Sequence, residues 1–464
     1  MSASRRFEEY MEHLAAGLGH MDRNVGLMDY CRGLMLPIRR KSVEPLAAYT
    51  DPLHVSAKHQ SLHHFVAQSE WSDAAVMARV RDWVLPHLGL DAGCYWIIDD
   101  TGFPKKGKHS VGVARQYCGQ LGKQDNCQVA VSLSLASVHG SLPIAYQLYL
   151  PKDWADDPIR RHKAGVADNV TFATKPEIAL AQMRQAVAWG VPMGGVLADA
   201  GYGDETAFRD GITELGMLYA VGIRPATTVW APGTSPLPPK PWCGRGIRPT
   251  RLRREPGHEP VAVKTLAMEL PPQTYRVVTW REGTNAALSS RFAAVRVHPA
   301  HRDERRTAIR PEEWLLIEWP DGEAEPTKYF LSTLPADTSL EHLVFVAKMR
   351  WRIERDYQEL KQEFGLSHYE GRGWRGFHHH ATLCIAAYGF LVAERLRRGG
   401  SKKNRARPET LALPEDYVPR GSRTGAATCA GLDPDSAIAH CPRDCRQASA
   451  MSMLREGRSQ FVTQ

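Results

Sequence analysis

The chain has 464 residues, 43% of them hydrophobic and 24% charged, which is the balance of a globular protein with a sizeable core rather than of a disordered chain. It contains no apolar run of the roughly 18 to 20 residues a membrane span needs, and its N-terminus, MSASRRFEEYMEHLAAGLGH, has no apolar signal core, so a cytoplasmic protein is expected. The net charge of +8 and pI near 9.0 favour a polyanionic partner. The basic residues cluster at 39–42 (RRKS), 104–109 (PKKGKH), 244–255 (GRGIRPTRLRRE) and 371–380 (GRGWRGFHHH), where acids are sparse.

Residues 1–90 read as a helical N-terminal domain. FEEYMEHLAAGLGHM, RNVGLMDYCRGLM, HQSLHHFVAQ and SDAAVMARVRDWVLPHLG all show apolar spacing near 3.6. Short helices joined by basic turns suit DNA binding and suit a plain bundle equally. Residues 91–223 switch to strands at CYWIID, NCQVAVSLSLAS and GSLPIAYQLYLP. A helix at KPEIALAQMRQAVAWG follows, stopped by Gly190, then a short buried strand, Val196-Leu197-Ala198, ending at Asp199. Another helix, DETAFRDGITELG, and another strand, MLYAVGI, complete a mixed α/β sheet.

Residues 224–335 form a β-rich insertion of short strands, with 231–260 as a loop. One long helix is expected over 339–365, started by Ser339 and stopped by Gly365. In 336–398 a second helix, FHHHATLCIAAYGFLVAERLRR, is apolar enough in its middle to be buried. Residues 399–464 read as a flexible or degenerate tail. The nine cysteines are scattered, as reduced thiols are; Cys429, Cys441 and Cys445 with His440 fit no common zinc spacing. His378, His379 and His380, on consecutive helix positions, point in different directions and read as packing or DNA-facing residues. GVARQYCGQLG lacks phosphate-loop or dinucleotide spacing, so no nucleotide cofactor is expected.

The acids carry the chemistry. The strand YWII is expected to end at Asp99 and Asp100, and the strand at 196–198 ends at Asp199. A lone carboxylate there is usually a helix cap; two, each before a Gly-containing turn, look like metal ligands. Strand alternation lets only one of Asp99 and Asp100 face a given site. At about 100° per residue, Arg350, Glu354, Tyr357 and Lys361 fall at roughly 0°, 40°, 340° and 20°, on one helix face. An Arg350–Glu354 pair on a solvated face is the plainer reading; the neighbouring Trp351, Ile353 and Leu360 suggest burial and a site.

In order, IIDDTG, VLADAGYGD, KYFLSTLP and MRWRIERDYQELK resemble the DDE transposases of bacterial insertion sequences, over roughly residues 20–420. The resemblance is to the branch with a β-strand insertion and a Tyr-x2-Arg-x3-Glu-x6-Lys signature. Arg350, Glu354 and Lys361 match its last three members; the Tyr position holds Ala347, with Tyr357 as a stand-in. The resemblance implies an α/β, ribonuclease H-like mixed sheet carrying the insertion. It implies that Asp100, Asp199 and Glu354 hold Mg²⁺, or Mn²⁺, for DNA strand cleavage and transfer, Asp99 being the fallback for Asp100. Arg350, Lys361, Lys105, Lys106 and Lys108 would contact phosphates of double-stranded DNA, at terminal inverted repeats and target, in a homodimeric complex. A transposase-derived DNA-binding protein without catalysis is the alternative. A two-carboxylate glycosidase is disfavoured by the basic flanks.

Overall fold

The computed structural model describes residues 2–282 and 287–399. Its centre is β1 (Tyr95–Pro104), whose Trp96, Ile97 and Ile98 are wholly buried because the strand has neighbours on both edges and cover on both faces. β1 runs antiparallel to β3 (Lys123–Ala136), which pairs with β2 (Ala114–Cys118) and β4 (Ser141–Leu148). On its other edge β1 runs parallel to β5 (Gly195–Ala198), and β5 parallel to β6 (Tyr219–Ile223). The order β4-β3-β1-β5-β6 is the ribonuclease H-like mixed sheet that the sequence implied.

One expectation about β1 fails. The strand does not stop at the acids but continues through Thr101, Gly102 and Phe103 to Pro104. The cause is β3, whose fourteen residues offer a pairing partner as far as Pro104↔Cys127. Gly102 fits within the strand because a Cβ there would lie 2.8 Å from Cys118 Sγ.

The insertion extends this sheet. After β7 (Thr228–Trp230) come β8 (Val261–Ala262), β9 (Arg276–Glu282), β10 (Ala287–Pro299), β11 (Glu313–Trp319) and β12 (Lys328–Ser332). β12 pairs antiparallel with β6, and β11 and β10 follow outward. Between β7 and β8 the chain is a loop, as expected, crossed only by isolated bridges at Leu237↔Arg253 and Glu255↔His258 among the described residues.

Five helices precede the sheet: α1 (Ala3–Ala15), α2 (Arg23–Met35), α3 (Val43–Thr50), α4 (Val55–Ala67) and α5 (Asp73–Val84). Between β4 and β5 lie α6 (Lys152–Ala155), α7 (Pro158–Ala164) and α8 (Lys175–Ala188). α8 starts sharply because Thr174 and Glu177 form a capping box. The turn α9 (Ala200–Gly203) and α10 (Thr206–Glu214) separate β5 from β6, and α11 (Val263–Glu269) follows β8.

The single long helix expected over 339–365 is two: α12 (Leu340–Lys348) and α13 (Trp351–Gln362). At the joint the hydrogen bonds tighten to Met349 N–Val346 O, Arg352 N–Met349 O and Ile353 N–Arg350 O. Two cores pull the halves apart. Leu340, Leu343, Val344 and Ala347 pack on Val278, Phe292 and Leu316 of the insertion. Ile353, Tyr357 and Leu360 join the main core.

α14 (Trp374–Arg397) is buried almost all round and shares that core with the N-terminal helices. Tyr10 Oη donates to Ala386 O at 2.9 Å, and Arg6 pairs with Glu394. The three histidines pack, each toward a different neighbour. His378 Nε2 accepts from Leu148 N, His379 contacts Val66 O and Trp71 O, and His380 meets Tyr30 Oη and Gly365 O. Among the described residues no helix is long and apolar enough to cross a membrane. The expected tail beyond Gly399, with Cys429, Cys441 and Cys445, lies outside the described residues.

Candidate active site

Asp99 and Asp100 are adjacent on β1, so their side chains leave on opposite faces and different elements answer them. Asp99 Oδ2 accepts from Arg350 Nη1 at 2.7 Å, and Asp99 Oδ1 accepts from the Asp100 amide at 2.8 Å. The other end of the Arg350 guanidinium donates to Glu354 Oε1. Asp100 Oδ2 instead accepts from Lys175 Nζ at 2.7 Å, at the start of α8. The acid joined to Glu354 through Arg350 is therefore Asp99, the fallback of the sequence reading, rather than Asp100.

Asp199 caps α9, its Oδ1 accepting from Gly201 N at 2.9 Å. The turn below it is pressed onto β6: a Cβ on Gly203 would lie 2.1 Å from Gly222 O, and one on Gly222 2.9 Å from Ala200 N. Arg209, fully buried on α10, donates to Gly203 O and, at 3.2 Å, to Thr206 Oγ1. The chain at Asp199 is thus held from both ends.

The electrostatics link these groups. Burial pushes the Asp99 carboxyl up to about 7; Arg350 opposes the shift, while Asp199 and Asp100 add repulsion. Burial acts to lower the Arg350 pKa, but Asp99, Glu354 and Asp199 outweigh it and raise it. Three acids from three elements therefore act on one guanidinium. Glu354 remains 56% exposed on its side chain, open to a large ligand.

The other expected contacts divide. Lys361 Nζ donates to Gly102 O at 2.9 Å and to Gln120 Oε1 at 3.3 Å, and burial lowers it to about 8. It braces β1 just past the acids. Lys105 Nζ likewise donates to Tyr369 O at 2.9 Å, whereas Lys106 and Lys108 are exposed. Tyr357 does not lie on an open face with Arg350. It is 6% exposed, with its ring 6.5 Å from that of Tyr146.

Sequence reasoning missed Lys175, Arg209 and the Gly203–Gly222 contact. The capping box marks Lys175 as a helix start, but which acid it meets depends on the sheet. The Arg209 position carried no signal beyond an ordinary helix charge.

The donor set suits a hard divalent cation in kind, since carboxylate oxygens are its preferred ligands. Tyr202, on α9, has a buried hydroxyl without a hydrogen-bond partner among the described residues, and burial, with Asp100, Asp99 and Asp199 adding to it, raises its pKa well above the ordinary tyrosine value. Among the described residues, however, no three acids, histidines or cysteines are arranged to hold an ion as they stand, and Arg350 bridges two of the acids.

The model for the family described as DDE superfamily endonuclease matches residues 13–287, more than half of the chain. The matched span includes Asp99, Asp100 and Asp199 and ends before Glu354. The chain is also 34% identical, over 166 residues, to a probable transposase for insertion sequence element IS701 from Microchaete diplosiphon. That likeness covers 36% of this chain and 40% of the relative. The chain belongs to the DDE superfamily of endonucleases.

Proposed function

We propose that the protein is the transposase of an insertion sequence, which cuts DNA strands at the element's ends and joins them to a target. Family membership supplies the substrate, DNA, and the use of divalent metal ions. The observation that carries the finer reading is the Arg350 bridge between Asp99 and Glu354, with Asp199 close enough to raise the arginine. Asp99, Asp199 and Glu354 are the carboxylates that would hold Mg²⁺, with Mn²⁺ as a substitute. Bound there, the metal would activate the attacking oxygen and stabilise the leaving one.

The chain's own residues do the rest. Arg350 pairs with both Asp99 and Glu354 and would donate to a phosphate brought to them. Lys361 fixes the backbone of β1 beside the acids. Lys106 and Lys108, exposed past the end of β1, add backbone phosphate contacts that hold a duplex without reading its sequence. Terminal inverted repeats, target DNA, a homodimer in the DNA complex and a cytoplasmic setting complete this reading. Neither the family match nor the likeness to the IS701 transposase favours the alternative of a DNA-binding protein without catalysis.

The test is strand cleavage of plasmid DNA carrying the element's ends, with Mg²⁺ present and absent. Glu354→Gln is expected to abolish cleavage and leave DNA binding intact. Cleavage at the wild-type rate by this variant would refute the assignment.

A further inference from the structure

The loop between β7 and β8 carries cations that the fold does not use. From Ala231 to Arg254 it holds six basic residues and no acid. The two at its base are engaged: Arg253 pairs with Glu255, and Arg254 donates to Asp303 Oδ1 at 2.9 Å and to Ala300 O at 2.7 Å. The Leu237↔Arg253 bridge and the bond from Leu252 N to Arg306 O, at 2.9 Å, close that base. Beyond it, residues 241–251 are exposed without a break. Among the described residues, the side chains of Lys240, Arg245, Arg248 and Arg251 make no hydrogen bond or ion pair. The tip is also slim. Arg245 stands between Gly244 and Gly246, at φ 85° and 74°, and a Cβ on either would meet nothing within 4 Å. Trp242 Nε1 donates to Gly246 O at 3.3 Å, which closes the turn around Arg245. Ile247, 97% exposed, lies between Arg245 and Arg248.

Like charges on one short loop repel one another, and a polyanion relieves that repulsion. The shape of the tip selects a surface on the polyanion. The major groove of a duplex admits a helix or a β-ribbon, whereas the minor groove, about 6 Å wide, has room for a slim extended chain. A·T tracts narrow that groove and strengthen its negative potential, which draws arginine into it. A guanine amino group on the groove floor would block Ile247 and face the guanidinium donors with another donor. We propose that residues 244–251 are an arm that enters the minor groove of A·T-rich duplex DNA, with Arg245 and Arg248 as the cations inside the groove. The inference rests on the reading of DNA as the substrate and adds a contact from the insertion. Lys106 and Lys108 hold phosphates and are indifferent to sequence; this arm distinguishes A·T from G·C pairs.

The experiment is binding of the full-length protein, by fluorescence anisotropy, to three duplexes of equal length whose central pairs are A·T, G·C or inosine·cytosine. Inosine lacks the guanine amino group, so the third duplex has the major groove of G·C and the minor groove of A·T. Wild type is expected to bind the A·T and inosine duplexes about 10-fold more tightly than the G·C duplex. The double variant Arg245→Lys with Arg248→Lys is expected to lose most of that preference while its binding to the G·C duplex stays unchanged. It keeps the charge, but an ammonium is more strongly hydrated than a guanidinium and enters the groove less readily. Its Tm should equal that of wild type, because neither side chain has a partner in the fold. Equal wild-type affinity for all three duplexes overturns the inference and leaves DNA binding standing. An inosine duplex bound as weakly as G·C places the contact outside the minor groove and also overturns it. So does a preference that survives in the double variant. Failure of wild type to bind any duplex removes the DNA reading and this inference together.

Discussion

Arg350 and Asp99, 251 residues apart in sequence, meet at 2.7 Å between Nη1 and Oδ2. The contact joins the first residue before α13 to the middle of β1, and it distinguishes two adjacent acids that sequence alone leaves paired. Asp99→Asn should therefore lose metal-dependent cleavage by about 10³-fold or more, equivalent to several kcal/mol of transition-state stabilisation. Asp100→Asn, which loses an ion pair to Lys175 instead, should keep most of its activity. Single-turnover cleavage rates of the two variants decide the matter, and the reverse order of effects would restore Asp100 as the ligand.

Gly203 sets how closely the Asp199 turn approaches β6. A methyl group there meets Gly222 O and the Val221 side chain, so the turn must move. Gly203→Ala should destabilise the protein by about 1–3 kcal/mol, the usual penalty for overpacking. It should also raise the Mg²⁺ concentration at half-maximal cleavage. Urea unfolding and a metal titration measure the two effects, and an unchanged metal requirement would separate Asp199 from this packing.

The exposed and buried lysines after β1 should behave differently. Replacing Lys106 and Lys108 with Ala should reduce the salt dependence of duplex binding by about 0.9 in log–log slope for each lost phosphate contact. Lys105→Ala should leave that slope alone and lower Tm, because Lys105 Nζ is engaged with Tyr369 O. Binding isotherms over a salt series provide the comparison.

Burial lowers His378 and His380 to about 4, against an ordinary value of 6.5. Their partners suit neutral rings. His380, for example, can donate to Gly365 O through Nε2 and accept from Tyr30 Oη through Nδ1. A depressed folded pKa gives stability that is present above pH 6.5 and lost as pH falls toward about 4. Asp99 and Asp356, raised to about 7, work in the opposite direction over an overlapping range. The difference between two variants cancels that opposition. The Tm of His380→Gln minus that of wild type should grow more positive from pH 7 to pH 4.5. A constant difference would mean that His380 does not take up a proton on unfolding.

Much of the core sheet was legible because period-2 and period-3.6 patterns are local. The strands at 95, 127, 141 and 195 and the loop at 231–260 needed no knowledge of their neighbours. The exceptions are all long-range. β1 outlasts its Thr-Gly pair because β3 lies alongside it. The helix at 339–365 breaks because its halves serve different cores, and that division cannot be seen in a single apolar stripe. Alternation predicts that Asp99 and Asp100 diverge, but only the position of Arg350, just before α13, tells which one is joined through it to Glu354. Tyr357 shares a helical angle with Arg350, yet the sheet side of that face is closed over it.

The packing around α14 limits how the chain can be divided. A cut near residue 90, natural on composition, would strip Tyr10, Tyr30 and the carbonyls of Val66 and Trp71 from one side of that helix. What remained would present a long greasy surface studded with stranded imidazoles. Exchanging the first 90 residues for those of another protein, in the hope of redirecting the enzyme to new sites, would therefore mean redesigning α14 as well. An engineer seeking a replaceable part would do better with the loop at 231–260, which leaves the sheet at β7 and returns to it at β8.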